Sequence, residues 1–264
     1  MVVLTQLPQA VPPDEHKCIE EDGCTKTYRD YRIKVREYYK NNPNFKRIIN
    51  DKKEIKNIDD MTFCPASSEV SRLSHPPLLA LKLLNEMLEP YVNKNLKIYT
   101  EAKLLSCKKE DDRIISVTYL INNKKIEFSG KIFLDATDTG ELLPLSNTEY
   151  RVGAESKYET GEAHAPQVKD ADDTQPFTYS LAFKIHDSGD YTIEKPKEYD
   201  EFKNMMMPYD KYPIFSMYGP DSSTHKAKKF GMFYGEVDSG NELFPLAVYR
   251  RIVAMDNYID NKDI

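Results

Sequence analysis

The stretch that most constrains the fold of this chain covers residues 131–145, which read KIFLDATDTGELLPL. A short apolar run without polar alternation is followed by Asp135, Ala136 and Thr137, and Gly140 comes shortly afterwards. Such a run is typical of a strand that is buried on both faces of a sheet. Small and polar residues after it are typical of a place where the backbone approaches a ligand, because ligands of open α/β sheets bind at the carboxyl ends of the strands. The alternative interpretation is an ordinary core strand followed by a turn.

Length, charge and hydropathy argue against two kinds of partner. The 264 residues allow one large or two small domains, and the hydrophobic fraction of 40% permits a core. The net charge is −6, and no basic cluster is interleaved with aromatic residues, so we expect no nucleic-acid partner. No apolar segment approaches the ~20 residues of a membrane span, and the apolar start is too short for a signal peptide. We therefore expect a cytoplasmic protein without a membrane partner.

The four cysteines, Cys18, Cys24, Cys64 and Cys107, are scattered through the chain. The spacing between Cys18 and Cys24 is longer than the roughly two to four intervening residues of common zinc knuckles. We expect free thiols in a reducing compartment and no metal site.

Two helices are predicted in the first hundred residues. Thr25 or Thr27 can cap a helix that ends near Lys40, and its tyrosines recur at helical spacing. The prolines at 76–77 are suited to the first turn of a second helix that runs from residue 78 to about residue 91. Apolar residues cover so much of this second helix that we expect it to be buried.

The pattern between residues 96 and 135 predicts a strand, a meander and a second strand. Residues 96–100 read as the first strand and residues 132–135 as the last. Three antiparallel strands are predicted between them, at residues 103–107, 113–121 and 124–128. The Asn122-Asn123 pair is a tight-turn signal inside the meander. We expect the outer two strands to be neighbours in one parallel sheet that the meander covers.

The second half of the chain has a weaker pattern. Residues 153–175 are polar with little periodicity, and their aspartates lack the glycine and glutamate positions of an EF-hand loop. Strands are predicted at residues 176–185 and 230–237, and a closing helix is predicted at residues 246–258. This order predicts an antiparallel sheet with a helix.

Arg72 and His75 immediately precede the second predicted helix and are the best candidates for catalytic contact with a substrate. A guanidinium group can hold a carboxylate through two parallel hydrogen bonds, and an imidazole can shuttle a proton near neutral pH. The alternative interpretation is a capping arginine and a structural histidine. The chain has no Gly-x-Ser-x-Gly, no phosphate loop and no zinc-protease helix.

Residues 131–145 resemble the late strand of FAD-dependent oxidoreductases of the glutathione-reductase-like class. In that class a strand ending in Asp-Ala-Thr-x-x-Gly-Asp passes the flavin, and Glu141 stands here where the last aspartate is usual. Three further segments extend the resemblance over nearly the whole chain in the same order: residues 10–16 (AVPPDEH), 71–75 (SRLSH) and 150–166 (YRVGAESKYETGEAHAP). The chain resembles most the bacterial-type FAD-dependent oxidoreductases that are related to xanthan lyase-like and fumarate-reductase-like flavoproteins.

The resemblance implies FAD as the cofactor and a redox reaction on a small-molecule substrate at the flavin. It implies that the flavin is lined by Asp135, Ala136, Thr137 and Gly140. It also implies that the adenine lies near the backbone of Lys103 and Leu104, and that Glu141 accepts a hydrogen bond from the ribityl chain. The resemblance places Arg72 and His75 at the substrate cleft.

A glycine motif that this class normally carries is absent. The class opens with a strand, Gly-x-Gly-x-x-Gly and a helix, because that loop holds the pyrophosphate at the helix N-terminus. No two glycines here lie within three positions of each other. We expect a chain that is truncated at both ends relative to a longer flavoprotein. Two hypotheses remain open: a FAD-dependent oxidoreductase or part of one, and a non-catalytic remnant, a pseudoenzyme or a subunit completed by another chain.

We therefore predict an α/β fold with two domains. Residues 1–150 are expected to form the remainder of a Rossmann-like FAD/NAD(P)-binding domain of the ββα type with a β-meander. Residues 151–264 are expected to form part of an antiparallel β-sheet substrate domain. The missing unit would leave a sheet edge and the helix at residues 78–88 partly uncovered, which promotes association. We expect self-association through that edge or a partner chain.

Overall fold

The computed structural model describes residues 24–51, 53–174, 182, 184–186, 188–207, 211–221, 224 and 226–260. These residues divide into two compact units, each with its own contacts. One unit comprises residues 24–90 together with 184–260, and the other comprises residues 91–182. The predicted boundary at residue 150 does not coincide with this division. The assignment of cofactor to residues 1–150 and of substrate to residues 151–264 stays a prediction.

Helix α1 covers Lys26–Asn41 and confirms the predicted start, because the hydroxyl of Thr25 accepts a hydrogen bond from the amide of Tyr28 at 3.3 Å. The buried face of α1 packs into the core of its unit. That core consists of buried side chains from α1 and from the segments that follow it: Tyr31, Val35, Tyr39, Phe45, Ile49, Ile58, Phe63, Leu73, Leu79, Ala80 and Leu83.

A short antiparallel hairpin follows α1. Strand β1 covers Ile48–Asp51 and strand β2 covers Glu54–Asn57. Ile49 on β1 is buried in the core, whereas β2 lies at the surface. The hairpin leads into an irregular buried loop at residues 63–75.

Helix α2 covers Pro77–Leu88 and is followed by a 3-10 turn at Glu89–Tyr91. The expectation that this helix is buried on most of its surface was wrong. Leu79 and Leu83 are buried, but the side chain of Leu78 is 78% exposed. Among the helices and strands of the described residues, only α1 packs against α2. The exposed side of α2 is therefore mixed, with two leucines beside polar and charged residues: Leu78, Leu81, Lys82, Asn85 and Glu86.

The predicted meander is confirmed in the unit of residues 91–182. Strands β3 (Lys103–Glu110), β4 (Arg113–Ile121) and β5 (Lys124–Ser129) form one antiparallel sheet in the order β3-β4-β5. Asn122 and Asn123 both have positive φ in the second turn, which asparagine tolerates better than most residues.

The predicted parallel sheet is not formed by the described residues. Residues 97–100 lie outside any strand, and Leu96 makes only an isolated bridge with Val92. Residues 131–136 are also outside any strand, and the side chains of Ile132 and Leu134 are 79% and 90% exposed. A short apolar run of this kind forms a buried strand only where partner strands lie on both sides of it. No described segment supplies them, so the prediction that the two segments are sheet neighbours was wrong.

Two short helices complete this unit. Helix α3 covers Leu142–Leu145 and follows the DATDTGE segment directly. Helix α4 covers Lys157–Thr160 and carries a capping box, in which Ser156 and Glu159 satisfy each other's backbone and side-chain groups.

The remaining elements belong to the first unit. Helix α5 covers Tyr199–Asn204, and two hairpins follow in sequence: β6 (Tyr218–Pro220) with β7 (Ala227–Lys229), and β8 (Val237–Asp238) with β9 (Asn241–Glu242). Helix α6 covers only Leu246–Tyr249, and a 3-10 turn covers Met255–Asn257.

Two predictions for this region were wrong. The predicted strand at residues 230–237 is mostly a turn, in which Gly235 has a φ of +83°. The predicted helix at residues 246–258 ends at Tyr249 and is followed by a separate 3-10 turn, and the chain beyond Tyr249 also hydrogen-bonds to distant segments. The predicted strand at residues 176–185 falls mainly outside the described residues. The described part of the chain thus has mixed helices and small antiparallel sheets.

Candidate functional site

The DATDTGE loop, residues 135–141, is closed on itself by the carboxylate of Asp135. Its Oδ1 accepts hydrogen bonds from the amide of Thr137 at 2.9 Å and from the Thr137 hydroxyl at 2.7 Å. Its Oδ2 accepts a hydrogen bond from the amide of Leu142 at 2.8 Å. One side chain therefore satisfies both ends of the loop.

Thr137 and Gly140 fix the middle of the loop. The Thr137 hydroxyl accepts a hydrogen bond from the amide of Glu141 at 2.9 Å. Gly140 has a φ of +64°, which side chains rarely adopt, and an added Cβ would lie 2.8 Å from Cδ1 of Leu143. The loop conformation therefore requires glycine at this position.

The electrostatics of the loop favour an ionised Asp135. Partial burial raises the pKa of its carboxyl group, but the hydrogen bonds from the Thr137 hydroxyl, the Thr137 amide and the Leu142 amide outweigh that effect and lower the pKa overall. The carboxylate consequently holds the loop together at neutral pH.

Strand β3 of the meander is hydrogen-bonded to the end of helix α3, which directly follows the DATDTGE loop. The thiol of Cys107 on β3 donates to the carbonyl of Leu145 at 3.0 Å. The ammonium group of Lys109 donates to the carbonyl of Ser146 at 3.2 Å. Both contacts come from β3, so the sheet and the loop form one structural unit.

The same sheet carries Lys103 and Leu104, which the sequence analysis assigned to the adenine. They are the first two residues of β3, and Leu104 pairs with Tyr119 on β4. Burial raises the pKa of Tyr119, and the negative charges of Asp135 and Glu141 raise it further. Tyr119 therefore lies near the two carboxylates of the loop as well as opposite Leu104. Sequence reasoning missed this residue, and its signal was only an aromatic side chain opposite Leu104 in the predicted meander.

The loop presents groups that can contact a ligand. The carboxylate of Glu141 is exposed and makes no hydrogen bond within the described part of the chain. The amides of Thr139 and Gly140 likewise have no acceptor among the described residues. Because Ala136 and Gly140 have little or no side chain, a flat ligand can approach the backbone.

Arg72 and His75 lie in the other unit, at the end of the buried loop that precedes α2. His75 is only 3% exposed, and Arg72 is half-buried. The Nε2 atom of His75 lies 2.6 Å from the hydroxyl of Tyr31 on α1, and its Nδ1 atom hydrogen-bonds to the carbonyl of Leu73. Because a carbonyl can only accept, Nδ1 carries the proton and Nε2 accepts from Tyr31 in the neutral ring.

The environment keeps both groups of the Tyr31–His75 pair uncharged. Burial lowers the pKa of His75, and the nearby Arg32 lowers it further, while the hydrogen bond to Leu73 opposes the shift. Burial, together with the neighbouring Tyr28, raises the pKa of Tyr31 to about 12. The pair is therefore a neutral hydrogen bond at pH 7, which is the arrangement expected for a structural or orienting histidine.

Serine hydroxyls order the loop between Cys64 and His75. The hydroxyl of Ser68 donates to the carbonyl of Ser71 at 3.0 Å, so it accepts from the hydroxyl of Ser74 at 2.6 Å. The thiol of Cys64 donates to the same carbonyl at 3.1 Å. Burial raises the pKa of Cys64, which makes it a structural thiol and a poor nucleophile.

A family model for FAD dependent oxidoreductases matches residues 7–238 of the 264. The chain belongs to the FAD-dependent oxidoreductase family. The cofactor of this family is FAD, and the DATDTGE loop lies inside the matched range. Comparisons with curated proteins and with solved structures find no match. In the described part of the chain, no helix is both long and apolar enough to cross a membrane. The cytoplasmic location stays a prediction.

The residues of this family member are compatible with one part of FAD. A fixed loop, small side chains and the amides of Thr139 and Gly140, which have no acceptor among the described residues, are features that could receive a flavin ring and its ribityl chain. The sequence of residues 1–264 offers no glycine-rich loop to hold the pyrophosphate of FAD, because no glycine motif is present in it. Among the described residues, no group of three or more metal-ligating side chains lies together.

The predicted site residues thus fall into two groups. Lys103, Leu104 and the DATDTGE loop belong to the unit of residues 91–182, where Tyr119 pairs with Leu104 and lies near the carboxylates of the loop. Arg72 and His75 belong to the unit that contains α1 and α2. The roles that the sequence analysis gave to both groups stay predictions.

Proposed function

We propose that this chain supplies the flavin-facing loop and the substrate-binding arginine of a FAD-dependent oxidoreductase that acts on a small molecule. The observation that carries the proposal is the closure of the DATDTGE loop by Asp135, within a chain that belongs to the family. A loop fixed in this way can offer backbone donors beside small side chains, and a ligand that binds it does not have to order the loop at a cost in conformational entropy. FAD, when bound, supplies the redox chemistry.

Within this proposal Arg72 binds the substrate. A half-buried guanidinium group can hold a carboxylate through two charge-assisted hydrogen bonds. His75 has both ring nitrogens engaged, so its proposed role is to orient the loop through the hydrogen bond that its Nδ1–H donates to the Leu73 carbonyl. A direct proton transfer from His75 would require the Tyr31 bond to break first.

The decisive measurement is a titration of the purified chain with FAD, in which quenching of the flavin fluorescence reports binding. The informative variant is Asp135→Asn. It replaces one carboxylate oxygen by an NH2 group, which cannot accept a hydrogen bond from the amide and hydroxyl donors of the loop. Asp190→Asn is the matched control. Asp190 accepts from the amide and hydroxyl of Thr192 in the same local motif but lies outside the DATDTGE loop.

We expect saturable binding that Asp135→Asn weakens roughly tenfold or more, which corresponds to ~1.4 kcal/mol. Asp190→Asn should leave the binding unchanged. Equal losses in both variants would show that the loop has no special role.

The second candidate is a non-catalytic homologue, and the absence of the glycine motif favours it. Each hydrogen-bond donor to a charged group contributes roughly 1.5–3 kcal/mol, so on this second hypothesis residues 1–264 alone would bind FAD more weakly, by orders of magnitude, than a chain with such a loop. If the wild-type chain shows no quenching at millimolar FAD while it is folded, this second candidate is the correct one. A chain that binds only together with a second polypeptide would support a subunit completed by another chain.

A further inference from the structure

The end of helix α6 and the segment that follows it lie against the buried loop that leads to Arg72 and His75. The amide of Val70 donates to the carbonyl of Tyr249 at 3.0 Å. Further along, the amide of Lys46 donates to the carbonyl of Asn257 at 2.9 Å. This part of the chain is therefore bonded to two earlier stretches, at Lys46 and at Val70. It lies beyond the range that the family model matches.

Arg251 binds two consecutive carbonyl groups of this loop. Its Nε donates to the carbonyl of Ala66 at 2.7 Å, and its Nη2 donates to the carbonyl of Ser67 at 2.8 Å. A guanidinium group can do this because its donors are held in a rigid plane, whereas an ammonium group offers a single point of attachment.

Asn257 binds the same loop from a buried position, since it is only 2% exposed. Its Nδ2 donates to the carbonyl of Pro65 at 2.8 Å and to the hydroxyl of Ser67 at 3.0 Å. The Ser67 hydroxyl in turn donates to the carbonyl of Asn50 on β1 at 2.6 Å. These bonds connect the loop to the first hairpin.

The loop depends on these donors for two reasons. It is buried but irregular, so the carbonyl groups of residues 65–67 have no regular strand or helix to satisfy them. In addition, Ser67 has a φ of +45°, a conformation that costs energy for a residue other than glycine. A strained backbone of this kind persists only when its surroundings determine it, and Arg251 and Asn257 belong to those surroundings together with Asn50.

We propose that Arg251 and Asn257 are positioning residues for the candidate substrate site. They fix residues 65–67, the adjacent Ser68 then bonds to Ser74, and Ser74 precedes His75 directly. The consequence for substrate binding rests on the proposed function of Arg72. The placement of His75 does not, because it can be measured in the chain without cofactor or substrate.

The test uses the full chain labelled with ¹⁵N and long-range ¹H–¹⁵N spectra of the histidine rings, with the signals of His75 assigned by their loss in His75→Gln. The wild type should show a neutral ring at pH 7 with the proton on Nδ1. Arg251→Lys keeps the charge but loses the planar fork, and Asn257→Ala removes the buried amide. Arg250→Ala is the matched control, because Arg250 is the exposed neighbour of Arg251.

In both Arg251→Lys and Asn257→Ala we expect the Nδ1–H signature of His75 to become averaged and its titration midpoint to rise by roughly one pH unit. Arg250→Ala should change neither. If Arg251→Lys or Asn257→Ala does not fold, Ser67→Ala removes the hydroxyl that accepts from Asn257 while leaving both arginine contacts.

Folded variants that keep the wild-type tautomer and midpoint overturn the proposal, because the two residues would then only add stability. The outcome is independent of the FAD titration, which concerns the loop in the other unit. A failure of FAD binding therefore contradicts the proposed function and leaves the positioning role intact.

Discussion

The hydroxyl of Tyr31 on α1 lies 2.6 Å from Nε2 of His75, and both side chains are buried. This contact attaches the loop that carries Arg72 to the first helix of the chain. The loop is thus held by Tyr31 at His75 and by Arg251 and Asn257 at residues 65–67.

We expect Tyr31→Phe to lower the free energy of unfolding by roughly 1–3 kcal/mol, because it leaves a buried nitrogen of His75 without its donor. Urea denaturation at pH 7 measures this loss. Tyr158→Phe is the control, since Tyr158 is almost fully exposed and should change the stability little. Equal effects of the two substitutions would show that the Tyr31–His75 bond is not important for stability.

The stability should depend on pH through His75. Its pKa is lowered in the folded protein, so between that value and the ordinary pKa of about 6.5 the unfolded chain binds more protons than the folded one. The contribution of His75 is therefore complete above pH ~6.5 and is lost as the pH falls towards the folded pKa. Urea denaturation at several pH values should show a shallower decline for His75→Gln than for the wild type, and His164→Gln should follow the wild type because His164 is exposed.

Gly140→Ala should weaken FAD binding, whereas Gly161→Ala should not. Both glycines have positive φ, at +64° and +74°, so each substitution costs roughly 1–2 kcal/mol of backbone energy. Only at Gly140 does the new Cβ also meet a side chain, that of Leu143, next to the proposed flavin contact. Fluorescence titration with FAD separates the two variants, and Gly140→Val should be more severe still. Retained binding in Gly140→Val would remove this loop from the cofactor site.

Arg72→Ala should reduce turnover and leave bound flavin unchanged. Loss of a bidentate contact to a carboxylate corresponds to roughly a ten- to hundredfold slower reduction of the flavin. The measurement combines the ratio of flavin to protein absorbance with the rate of flavin reduction by a panel of small carboxylic acids. A variant that loses flavin but reduces what remains at the normal rate would place Arg72 at the cofactor instead.

The isolated chain should self-associate through the exposed apolar residues of the segment after β5. Ile132 and Leu134 are almost fully exposed there, and large apolar side chains of this kind promote association. Sedimentation should show a concentration-dependent increase in mass that the double substitution Ile132→Lys and Leu134→Lys reduces. Val168→Lys changes an equally exposed apolar residue elsewhere in the same unit and should not have this effect. A monodisperse monomer that unfolds cooperatively would contradict the prediction.

Elements that depend on local signals could be predicted from the sequence. Thr25 predicted the start of α1, because its hydroxyl caps an amide only three residues away. Asn122 and Asn123 predicted a tight turn, and the strands on either side pair with each other without help from the rest of the chain. The DATDTGE loop is also local, since its carboxylate bonds lie within seven residues of Asp135. The sequence could therefore indicate both the meander and the candidate cofactor loop.

The tertiary structure alone decided the features that depend on distant partners. Residues 132–135 have the composition of a strand, but a strand exists only where another segment pairs with it, and none of the described segments does. The bond between Tyr31 and His75 spans 44 positions, and that between Ala66 and Arg251 spans 185. Residue spacing carries no signal for such contacts, because burial and geometry select the partners only after the chain has packed. Helix α6 likewise ends at Tyr249, and in the chain beyond it the side chains of Arg251 and Asn257 donate to the distant loop of residues 65–67.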